Sequence, residues 1–257
     1  MWKNPWRKEK KQAQPDKIDL ENLPVHIAVI MDGNGRWAKH RNQPRSMGHR
    51  AGVEALRSVV KVCSRLGIKV LTVYAFSTEN WRRPKEEVKV LMTLLRDYLR
   101  KEINELHKNQ VVIRTLGDIG SLPEDAQVQL KRAYEITKDN NGLILNLALN
   151  YGGRAEIVEV VRKISAEALS GHVRPEQIDE AYISKFLYTA DLPDPDILIR
   201  TSGEMRLSNF LLWQLAYTEI VVVEDFWPDF NEETLLKAIQ VYQGRDRRFG
   251  GVKDSKE

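Results

Sequence analysis

The chain has very little cysteine and no long hydrophobic run, and both absences exclude classes of protein. One cysteine among 257 residues allows neither an intrachain disulfide nor a cluster of cysteine metal ligands. Cys63 occupies an apolar position of a predicted helix, so we expect it in the core. The most apolar late stretch, residues 209–227, is interrupted by one glutamine and three acidic residues. The sequence therefore predicts no transmembrane helix.

Excess charge is also missing from most of the chain. The net charge is +4, and residues 1–17 alone carry six basic and two acidic residues, so the rest balances to zero. A general nucleic-acid binder would be basic throughout, and we expect no nucleic-acid partner. The N-terminal segment lacks the apolar core of a secretory signal, which predicts a cytoplasmic protein. Its two tryptophans among basic residues leave two interpretations open: a disordered, solvated tail over residues 1–20, or peripheral contact with an anionic membrane.

Short apolar runs alternate with helical segments about six times along the chain. The strands are predicted at 25–31, 70–76, 110–116, 143–150, 196–200 and 219–224. The helices are predicted from about 48 to 66, 84 to 107, 123 to 139, 153 to 169, 175 to 187 and 231 to 244. Because the strands are apolar on both faces, the pattern predicts an α/β fold: a single domain, residues 21–257, with a mostly parallel central sheet of about six strands surrounded by helices.

Polar and glycine-rich segments follow five of the predicted strands, and ligands of such sheets bind at the carboxyl ends of the strands. The segments are DGNGR (32–36), STENWRRP (77–84), GDIG (117–120), NYGGR (150–154) and RTSGEMRLSN (200–209). Six arginines leave this rim: Arg36, Arg45, Arg82 or Arg83, Arg154, Arg200 and Arg206. Guanidinium groups bind phosphate oxygens well, and glycines let backbone N–H groups approach them. Asp32 alone could cap a turn, but with these neighbours it predicts a diphosphate site bridged by Mg²⁺.

A dinucleotide site is the main alternative for the first of these segments. Gly33, Gly35 and Ala38 satisfy the spacing G-x-G-x-x-A after a strand. That fingerprint needs a helix that begins at the glycines, whereas Pro44 and a polar run are expected to delay the helix until about Gly48. No acid stands about 20 residues further on at the end of a second strand. The context therefore argues against a nicotinamide or flavin site.

Long motifs along the chain resemble those of a known family. HIAVIMDGNGRWA, PRSMGHRAG, YAFSTENWRRP, NYGGR, DILIRTSGEMRLSNFLLWQLAYTE, WPDF and RRFGG follow in order from about residue 24 to residue 251. Together they closely resemble the cis-prenyltransferases. The resemblance implies sequential condensation of isopentenyl diphosphate onto farnesyl diphosphate with Mg²⁺, each new double bond being cis. The expected product is a long-chain polyprenyl diphosphate, the lipid carrier precursor of peptidoglycan synthesis.

The resemblance also implies roles for individual residues. Asp32 matches the carboxylate that handles Mg²⁺ and assists departure of the allylic diphosphate, and Asn80 matches the residue assigned to proton removal. The matching substrate-binding positions are Gly33, Asn34, Gly35, Arg36, Trp37, Arg45, His49, Ser77, Thr78, Glu79, Trp81, Arg83, Arg200, Arg206, Leu207 and Ser208. Glu219 matches a second Mg²⁺ ligand. Arg248 and Gly250 match a terminal R-x-G element that reaches the partner subunit's site in a homodimer.

The growing hydrocarbon would need an apolar tunnel. Candidates for its walls are Ala75, Leu91, Leu95 and Leu143. A rival hypothesis is a non-catalytic partner subunit of the same fold, but relatives of that kind lack the D-G-N-G-R loop, which this chain keeps. Product length and the preferred primer stay open at this point.

Overall fold

The structure, a computed structural model, describes residues 18–245, so most of the basic tail, Arg248 and Gly250 lie outside the described residues. The strands are β1 (His26–Ile30), β2 (Val70–Ser77), β3 (Val112–Leu116), β4 (Ile144–Tyr151), β5 (Ile197–Arg200) and β6 (Glu219–Val222). The α-helices are α1 (Asn34–His40), α2 (Arg45–Leu66), α3 (Lys85–Lys108), α4 (Glu124–Thr137), α5 (Gly153–Leu169), α6 (Glu180–Ser184) and α7 (Glu232–Gln243). Short 3₁₀ helices lie at Thr78–Arg82, Ile119–Ser121, Pro175–Gln177 and Trp227–Asp229.

The six strands form one sheet in the order β3-β4-β2-β1-β5-β6, and every neighbouring pair is parallel. The predicted α/β class with a central sheet of about six strands is confirmed. β1 lies between β2 and β5, because the chain builds one half of the sheet through β4 and then crosses to the other side for β5 and β6. The carboxyl end of β1 is therefore the topological switch point, where ligands of such sheets bind.

Both faces of the sheet are covered, as the apolar strands predict. Ile27 and Val29 of β1 point into the larger core with α2, α3, α4 and α7. Ala28 and Ile30 point into a smaller core with Phe210 on the other face. This alternation follows from the two-residue period of a strand. Cys63 is fully buried in the larger core, as expected.

The helix predicted from about Gly48 is α2, which begins at Arg45, but a short helix before it was not predicted. This helix, α1, begins at Asn34, directly after Gly33. Its sequence NGRWAKH has one buried residue, Ala38, so no apolar periodicity announces it. Tight packing on α2 stabilises it instead, since a Cβ atom at Gly48 would lie 1.9 Å from the carbonyl oxygen of Asn34. The position of the helix start therefore does not argue against a dinucleotide site. The argument that remains is the absence of an acid about 20 residues further on at the end of a second strand.

The helix predicted near 175–187 is also shorter than expected. The chain forms a 3₁₀ turn at Pro175–Gln177 and then the short helix α6. Asp179 separates the two in an extended conformation, and its carboxylate accepts the N–H of Tyr182 at 2.7 Å. An aspartate in this position ends one element and caps the next, which an apolar pattern does not reveal.

Candidate active site

Two cavities meet beside Asp32 at the carboxyl edge of the sheet. The first, here the apolar cleft, has a volume of about 270 Å³ and is lined by α1, by α2 and α3, and by β2 and β4. The second, here the polar cavity, has a volume of about 540 Å³ and is lined by the exits of β1, β2 and β5. The residues common to both are Met31, Asp32, Tyr74, Asn80 and Arg83. Asp32 therefore faces both spaces.

The carboxylate of Asp32 is held by cations and by a backbone N–H. Its Oδ1 accepts the N–H of Gly33 at 2.7 Å and a guanidinium N–H of Arg36 at 3.1 Å. Its Oδ2 accepts Nη2 of Arg200 at 2.9 Å and lies 3.7 Å from Nη2 of Arg206. Burial raises the pKa of Asp32, but Arg200, Arg36 and the Gly33 N–H outweigh it, so the pKa lies below its ordinary value. The group is a charged carboxylate at neutral pH.

Gly33 fixes the direction in which Asp32 points. Its φ is 99°, and a Cβ atom there would lie 2.1 Å from Oγ of Ser202, so a larger residue would not fit. The carbonyl of Asp32 accepts the hydroxyl of Thr201 at 2.7 Å and the N–H of Trp227 at 3.0 Å. The backbone at the end of β1 is thus tied to the exit of β5 and to the segment after β6.

Arg200, the last residue of β5, lies between Asp32 and the connection that follows. Its side chain is 4% exposed. Nη1 donates to the carbonyl of Arg206 and, at 2.8 Å, to Oγ of Ser208. Its Nε is buried without an acceptor. An incompletely satisfied buried group beside an open cavity is a feature of binding sites rather than of a finished core.

The connection after β5 is strained. Four of its non-glycine residues have positive φ: Ser202, Ser208, Asn209 and Leu211. Such conformations cost about 1–3 kcal/mol each and cluster at functional sites. Asn209 links three strand exits, because its side chain accepts the N–H of Arg154 at 2.9 Å and donates to Glu79 at 2.9 Å. Sequence reasoning missed Asn209, since these contacts join residues far apart in the chain.

Glu87, which sequence reasoning also missed, contacts two arginines and a histidine at the mouth of the apolar cleft. It accepts Nε and Nη2 of Arg45 at 3.0 and 3.1 Å and Nη1 of Arg83 at 3.0 Å, and it lies 3.3 Å from Nε2 of His49. Burial raises the pKa of Glu87, but these cations bring it below its ordinary value. Burial lowers the pKa of His49, and Glu87 offsets that only in part. An acid in the first turn of a helix is ordinary, so no local pattern distinguishes Glu87.

A third carboxylate, Glu204, holds the remaining cations. It accepts Nη1 of Arg36 at 2.6 Å and also pairs with Arg206. Hydrogen bonds from Arg206 and Arg36 lower the pKa of Glu204. The side chains of Arg36 and Arg206 are 41% and 56% exposed, and solvent screening leaves ion pairs of that exposure with little effect on stability. A bound diphosphate could therefore replace Glu204 as their partner at little cost.

The segment after β2 brings Asn80 to the junction of the cavities. Ser77 ends β2, and its N–H donates to Oδ1 of Asn80 at 3.1 Å. Thr78 donates its hydroxyl to Glu79 at 3.2 Å. Trp81 donates its indole N–H to Asn150 at 2.8 Å, which ties the segment to the end of β4. The 3₁₀ helix is thus anchored at both ends while Asn80 faces both cavities.

Most of the predicted site residues come together at this edge. Those that line the two cavities are Asp32, Gly33, Asn34, Gly35, Arg36, Arg45, His49, Ser77, Glu79, Asn80, Arg83, Arg200, Arg206 and Ser208. Of the rim arginines, it is Arg83 rather than Arg82 that takes part, and Arg154 is exposed on α5.

Four predicted substrate-binding residues lie beside the cavities, outside the residues that line them: Trp37, Thr78, Trp81 and Leu207. Trp37 stacks on the guanidinium of Arg41 at 4.1 Å and donates to Asp229 at 2.7 Å. Leu207 packs against the smaller core. These contacts join neighbouring elements of the fold. The predicted substrate contacts of the residues beside the cavities stay predictions.

Glu219 is not near Asp32 within one chain. It begins β6, whereas Asp32 follows the end of β1, and β5 between them runs parallel to both. Glu219 is level with Ile27, so it lies five residues, or roughly 16 Å, before Asp32 along the strand direction. Glu219 pairs with Arg245. Its role as a second Mg²⁺ ligand stays a prediction, as do the roles of Arg248 and Gly250 outside the described residues.

Three of the four candidate tunnel residues lie at the apolar cleft, and their role in a tunnel stays a prediction. Ala75, Leu91 and Leu95 line the apolar cleft. Leu143 is 2% exposed and belongs to the larger core. It precedes β4 at the amino edge of the sheet, where its carbonyl accepts the N–H of Val112. It therefore lies beyond the enclosed end of the cleft.

Comparison with known proteins adds an independent observation. Residues 30–250 match the family model described as "Putative undecaprenyl diphosphate synthase". An isoprenyl transferase of Heliobacterium mobile is 59% identical over 94% of this chain and 93% of that protein. A ditrans,polycis-undecaprenyl-diphosphate synthase of Micrococcus luteus, named as (2E,6E)-farnesyl-diphosphate specific, is 49% identical over 95% of this chain and 98% of that protein.

Solved structures agree with the family match. Lavandulyl diphosphate synthase from Lavandula x intermedia, in complex with dimethylallyl diphosphate, has a TM-score of 0.88 and 42% identity over 90% of this chain and 99% of that one. A probable undecaprenyl diphosphate synthase from Campylobacter jejuni has a TM-score of 0.74 and 32% identity over 89% of this chain and 99% of that one.

Proposed function

Because the chain belongs to the undecaprenyl diphosphate synthase family and is a cis-prenyltransferase, we propose that it adds isopentenyl diphosphate units one after another to farnesyl diphosphate in a Mg²⁺-dependent reaction. The product is a long-chain polyprenyl diphosphate, undecaprenyl diphosphate, which serves as the lipid carrier precursor of peptidoglycan synthesis. The observation that supports this proposal is the position of Asp32 between an apolar cleft and a polar cavity, each bordered by arginines.

We assign the allylic substrate to the apolar cleft. Arg36, Arg45 and His49 lie at its mouth, and α1 begins there at Asn34. First-turn N–H groups have no partner within their helix and favour anions, and guanidinium groups bind phosphate oxygens strongly. Gly35 lets Arg45 approach α1, since a Cβ atom there would lie 2.9 Å from the guanidinium. The aliphatic walls suit the hydrocarbon tail.

We assign isopentenyl diphosphate to the polar cavity, where Arg200, Arg206 and Ser208 suit its diphosphate. Asn80 borders both cavities and is assigned to proton removal, as the family resemblance implies. In each cycle the allylic carbon–oxygen bond breaks and the departing diphosphate takes its electron pair. The isopentenyl double bond then forms the new carbon–carbon bond, and a proton leaves the isopentenyl unit.

The pre-placed cations explain how this chain promotes that reaction. Departure of a diphosphate concentrates negative charge, and charges already oriented before the reaction stabilise it without reorganisation. Arg36 and Arg200 are held in place by Asp32 at 3.1 and 2.9 Å. The apolar cleft keeps water from the allylic carbon, which limits hydrolysis.

The residues also suit Mg²⁺ that the substrate helps to hold. Within residues 18–245, no group of three or more His, Cys, Asp and Glu side chains forms a metal site. Mg²⁺ is usually bound by one or two carboxylates together with substrate phosphates, and the charged Asp32 offers such a carboxylate to both cavities. Bound there, the ion would supply positive charge to the diphosphate.

The homodimer rests on the family resemblance, and the location rests on the sequence of the N-terminal segment. We propose a homodimer in which Arg248 and Gly250 approach the partner's site, and a cytoplasmic protein with peripheral membrane contact for product release. None of the helices in the described part of the chain is long and apolar enough to span a membrane.

An assay with purified protein, farnesyl diphosphate, labelled isopentenyl diphosphate and Mg²⁺ tests the proposal. We expect butanol-extractable product of long chain length that disappears when EDTA is added. A parallel reaction primed with dimethylallyl diphosphate, the ligand in the lavandulyl diphosphate synthase structure, measures primer preference. Absence of Mg²⁺-dependent extractable product with either primer would contradict the proposed function.

A further inference from the structure

Asn209 joins two segments that the proposed reaction needs. It follows Ser208 directly, and both residues line the polar cavity. The amide nitrogen of its side chain donates to Oε1 of Glu79 at 2.9 Å. Glu79 is the chain neighbour of Asn80, the residue assigned to proton removal. One side chain therefore connects the segment assigned to isopentenyl diphosphate with the segment assigned to the proton.

The other end of the Asn209 side chain is fixed by the exit of β4. Its carbonyl oxygen accepts the N–H of Arg154 at 2.9 Å, and its backbone carbonyl accepts the N–H of Gly153 at 2.7 Å. These are the first N–H groups of α5, which have no partner within their own helix. Asn209 therefore caps α5 while it holds Glu79, and this fixes the orientation of its side chain.

The junction has no room for a larger residue at Gly152. A Cβ atom there would lie 2.7 Å from the amide nitrogen of Asn209 and 2.8 Å from the hydroxyl oxygen of Thr78. Asn209 itself has a φ of 63°, a conformation that Asn and Asp adopt more readily than most residues. The exits of β2, β4 and β5 therefore meet in direct contact around Asn209.

Asn80 lies between two anchored residues of the 3₁₀ helix that follows β2. Glu79 before it is held by Asn209 from the side of β5, and Trp81 after it is held from the end of β4. Oδ1 of Asn80 accepts a backbone N–H of its own segment at 3.1 Å. The hydrogen bond between Glu79 and Asn209 therefore sets the place of Asn80 relative to the residues assigned to isopentenyl diphosphate.

We propose that Asn209 is a positioning residue for proton removal, which acts through Glu79 to hold Asn80 where the isopentenyl unit binds. The inference rests on the proposed function, because it uses the polar cavity as the isopentenyl diphosphate site. Arg206 and Ser208 lie just before Asn209, so a diphosphate bound to them acts directly on the segment that orients Asn80. Protein groups occupy both ends of the Asn209 amide, which favours positioning over direct substrate binding.

An exchange of charge tests the proposal. Asn209→Asp keeps the size of the side chain and the acceptor for Arg154, but it places a second carboxylate at the 2.9 Å contact with Glu79. We expect the rate of the first condensation in a single turnover to fall about tenfold or more, the size of one hydrogen bond to a charged group. The KM for farnesyl diphosphate should not change, because Asn209 does not line the apolar cleft.

A kinetic isotope effect separates positioning from a general loss of structure. With isopentenyl diphosphate deuterated at the carbon that loses the proton, the isotope effect on the first condensation should be larger in Asn209→Asp than in wild type. Misplacement of Asn80 slows proton removal, so that step comes to limit the rate.

A second substitution should rescue the first. Glu79→Gln in the Asn209→Asp background re-forms the hydrogen bond with donor and acceptor exchanged, and it should restore most of the rate and the wild-type isotope effect. Glu79→Gln alone completes the double-mutant cycle. Asn140→Asp is the matched control, because the Asn140 amide donates to the carbonyl of Val111 at 2.7 Å, outside both cavities. It should lower stability without a change in the isotope effect.

The outcomes separate the two proposals. A wild-type rate in Asn209→Asp, a lower rate with a wild-type isotope effect, or no rescue by Glu79→Gln would overturn the positioning role and leave the proposed function intact. A higher KM for isopentenyl diphosphate as the only change would overturn it in favour of direct substrate binding. If Asn209→Asp does not fold by circular dichroism, Glu79→Ala removes the same hydrogen bond at an exposed residue, with the same expected direction. A wild-type protein that makes no extractable product contradicts the proposed function itself.

Discussion

The two edges of the central sheet both bury polar side chains, but they satisfy them differently. At the amino edge, His26 is fully buried, and at the carboxyl edge Arg200 is 3% exposed. Each ring nitrogen of His26 has a partner within the fold, whereas Nε of Arg200 and Oγ of the nearby Ser202 have none. Burial of a polar group therefore does not by itself indicate function. A buried polar group that lacks a hydrogen-bond partner beside an open cavity does indicate a functional site.

The amino edge shows what a closed polar network looks like. Nδ1 of His26 lies 2.7 Å from the carbonyl of Pro193, which can only accept, so Nδ1 carries the proton. Nε2 then accepts the hydroxyl of Thr72 at 2.7 Å, and that oxygen accepts the amide of Asn146 at 3.3 Å. Asp196 accepts the N–H of His26 at 3.0 Å. Changes here should affect stability, and changes at the carboxyl edge should affect activity.

The largest effect on activity is expected for Asp32→Ala. The variant removes the carboxylate that orients Arg36 and Arg200 and that would hold Mg²⁺. Loss of one pre-organised electrostatic group costs about 10²–10³-fold in kcat, and we expect at least that loss. The initial rate of labelled isopentenyl diphosphate incorporation measures it.

The control for this variant is Glu232→Gln, which removes a carboxylate paired with Arg65 outside the site. It should keep the wild-type rate. Asp32→Asn retains the shape of the side chain and should be as inactive as Asp32→Ala, because the negative charge is what matters. A wild-type rate in Asp32→Ala would contradict the role of Asp32 in Mg²⁺ binding and diphosphate departure.

A smaller effect is expected for Glu87→Gln. The variant weakens the acceptor shared by Arg45, His49 and Arg83 but leaves the reacting centre at Asp32 intact. Hydrogen bonds to charged groups contribute about 1.5–3 kcal/mol, so we expect the KM for farnesyl diphosphate to rise about tenfold or more with a much smaller change in kcat. Steady-state kinetics at saturating isopentenyl diphosphate separate the two constants.

Glu86→Gln is the matched control for Glu87, because Glu86 is the adjacent acid of the same helix turn and is exposed. It should leave the KM unchanged. The charge of Glu87 raises the pKa of His49 against the effect of burial, so the pKa of His49 should fall further in Glu87→Gln. An unchanged KM in Glu87→Gln would show that Arg45, Arg83 and His49 do not need Glu87 in order to bind the diphosphate.

The sequence reveals the sheet and its rim because their signals are local. Apolar runs such as 25–31 identify strands, and the polar segments after them fall at one edge once the strands are parallel. Helix α1 escapes detection because its stability comes from contact with Gly48 of α2 rather than from an apolar stripe. A helix whose partner lies a turn away in the chain leaves no periodic pattern.

The missed site residues have a related explanation. Asn209 acts through contacts with residues 55 and 130 positions away, so no local pattern identifies it. Glu87 resembles any acid at the start of a helix until Arg45, 42 positions earlier, folds back onto it. Glu219 shows the opposite case. The family resemblance assigns it to the metal, which stays a prediction, and within one chain it lies at the amino ends of the strands, away from Asp32.

The smallest effect on activity, and a clear effect on stability, is expected at the amino edge from His26→Gln. Burial lowers the pKa of His26 from 6.5 to about 4, although the Pro193 carbonyl and Asp196 act in the other direction. The unfolded chain therefore binds the proton more readily than the folded one, so stability is fully present above pH 6.5 and falls as the pH drops towards 4. At pH 4 the loss in the free energy of unfolding is about 3 kcal/mol.

Urea unfolding at several pH values should show a shallower pH dependence in His26→Gln than in wild type, with prenyl transfer at neutral pH retained. His172→Gln changes an exposed histidine and should keep the wild-type slope. An unchanged slope in His26→Gln would mean that some other group, such as His49, governs acid stability, and the contrast between the two edges would fail.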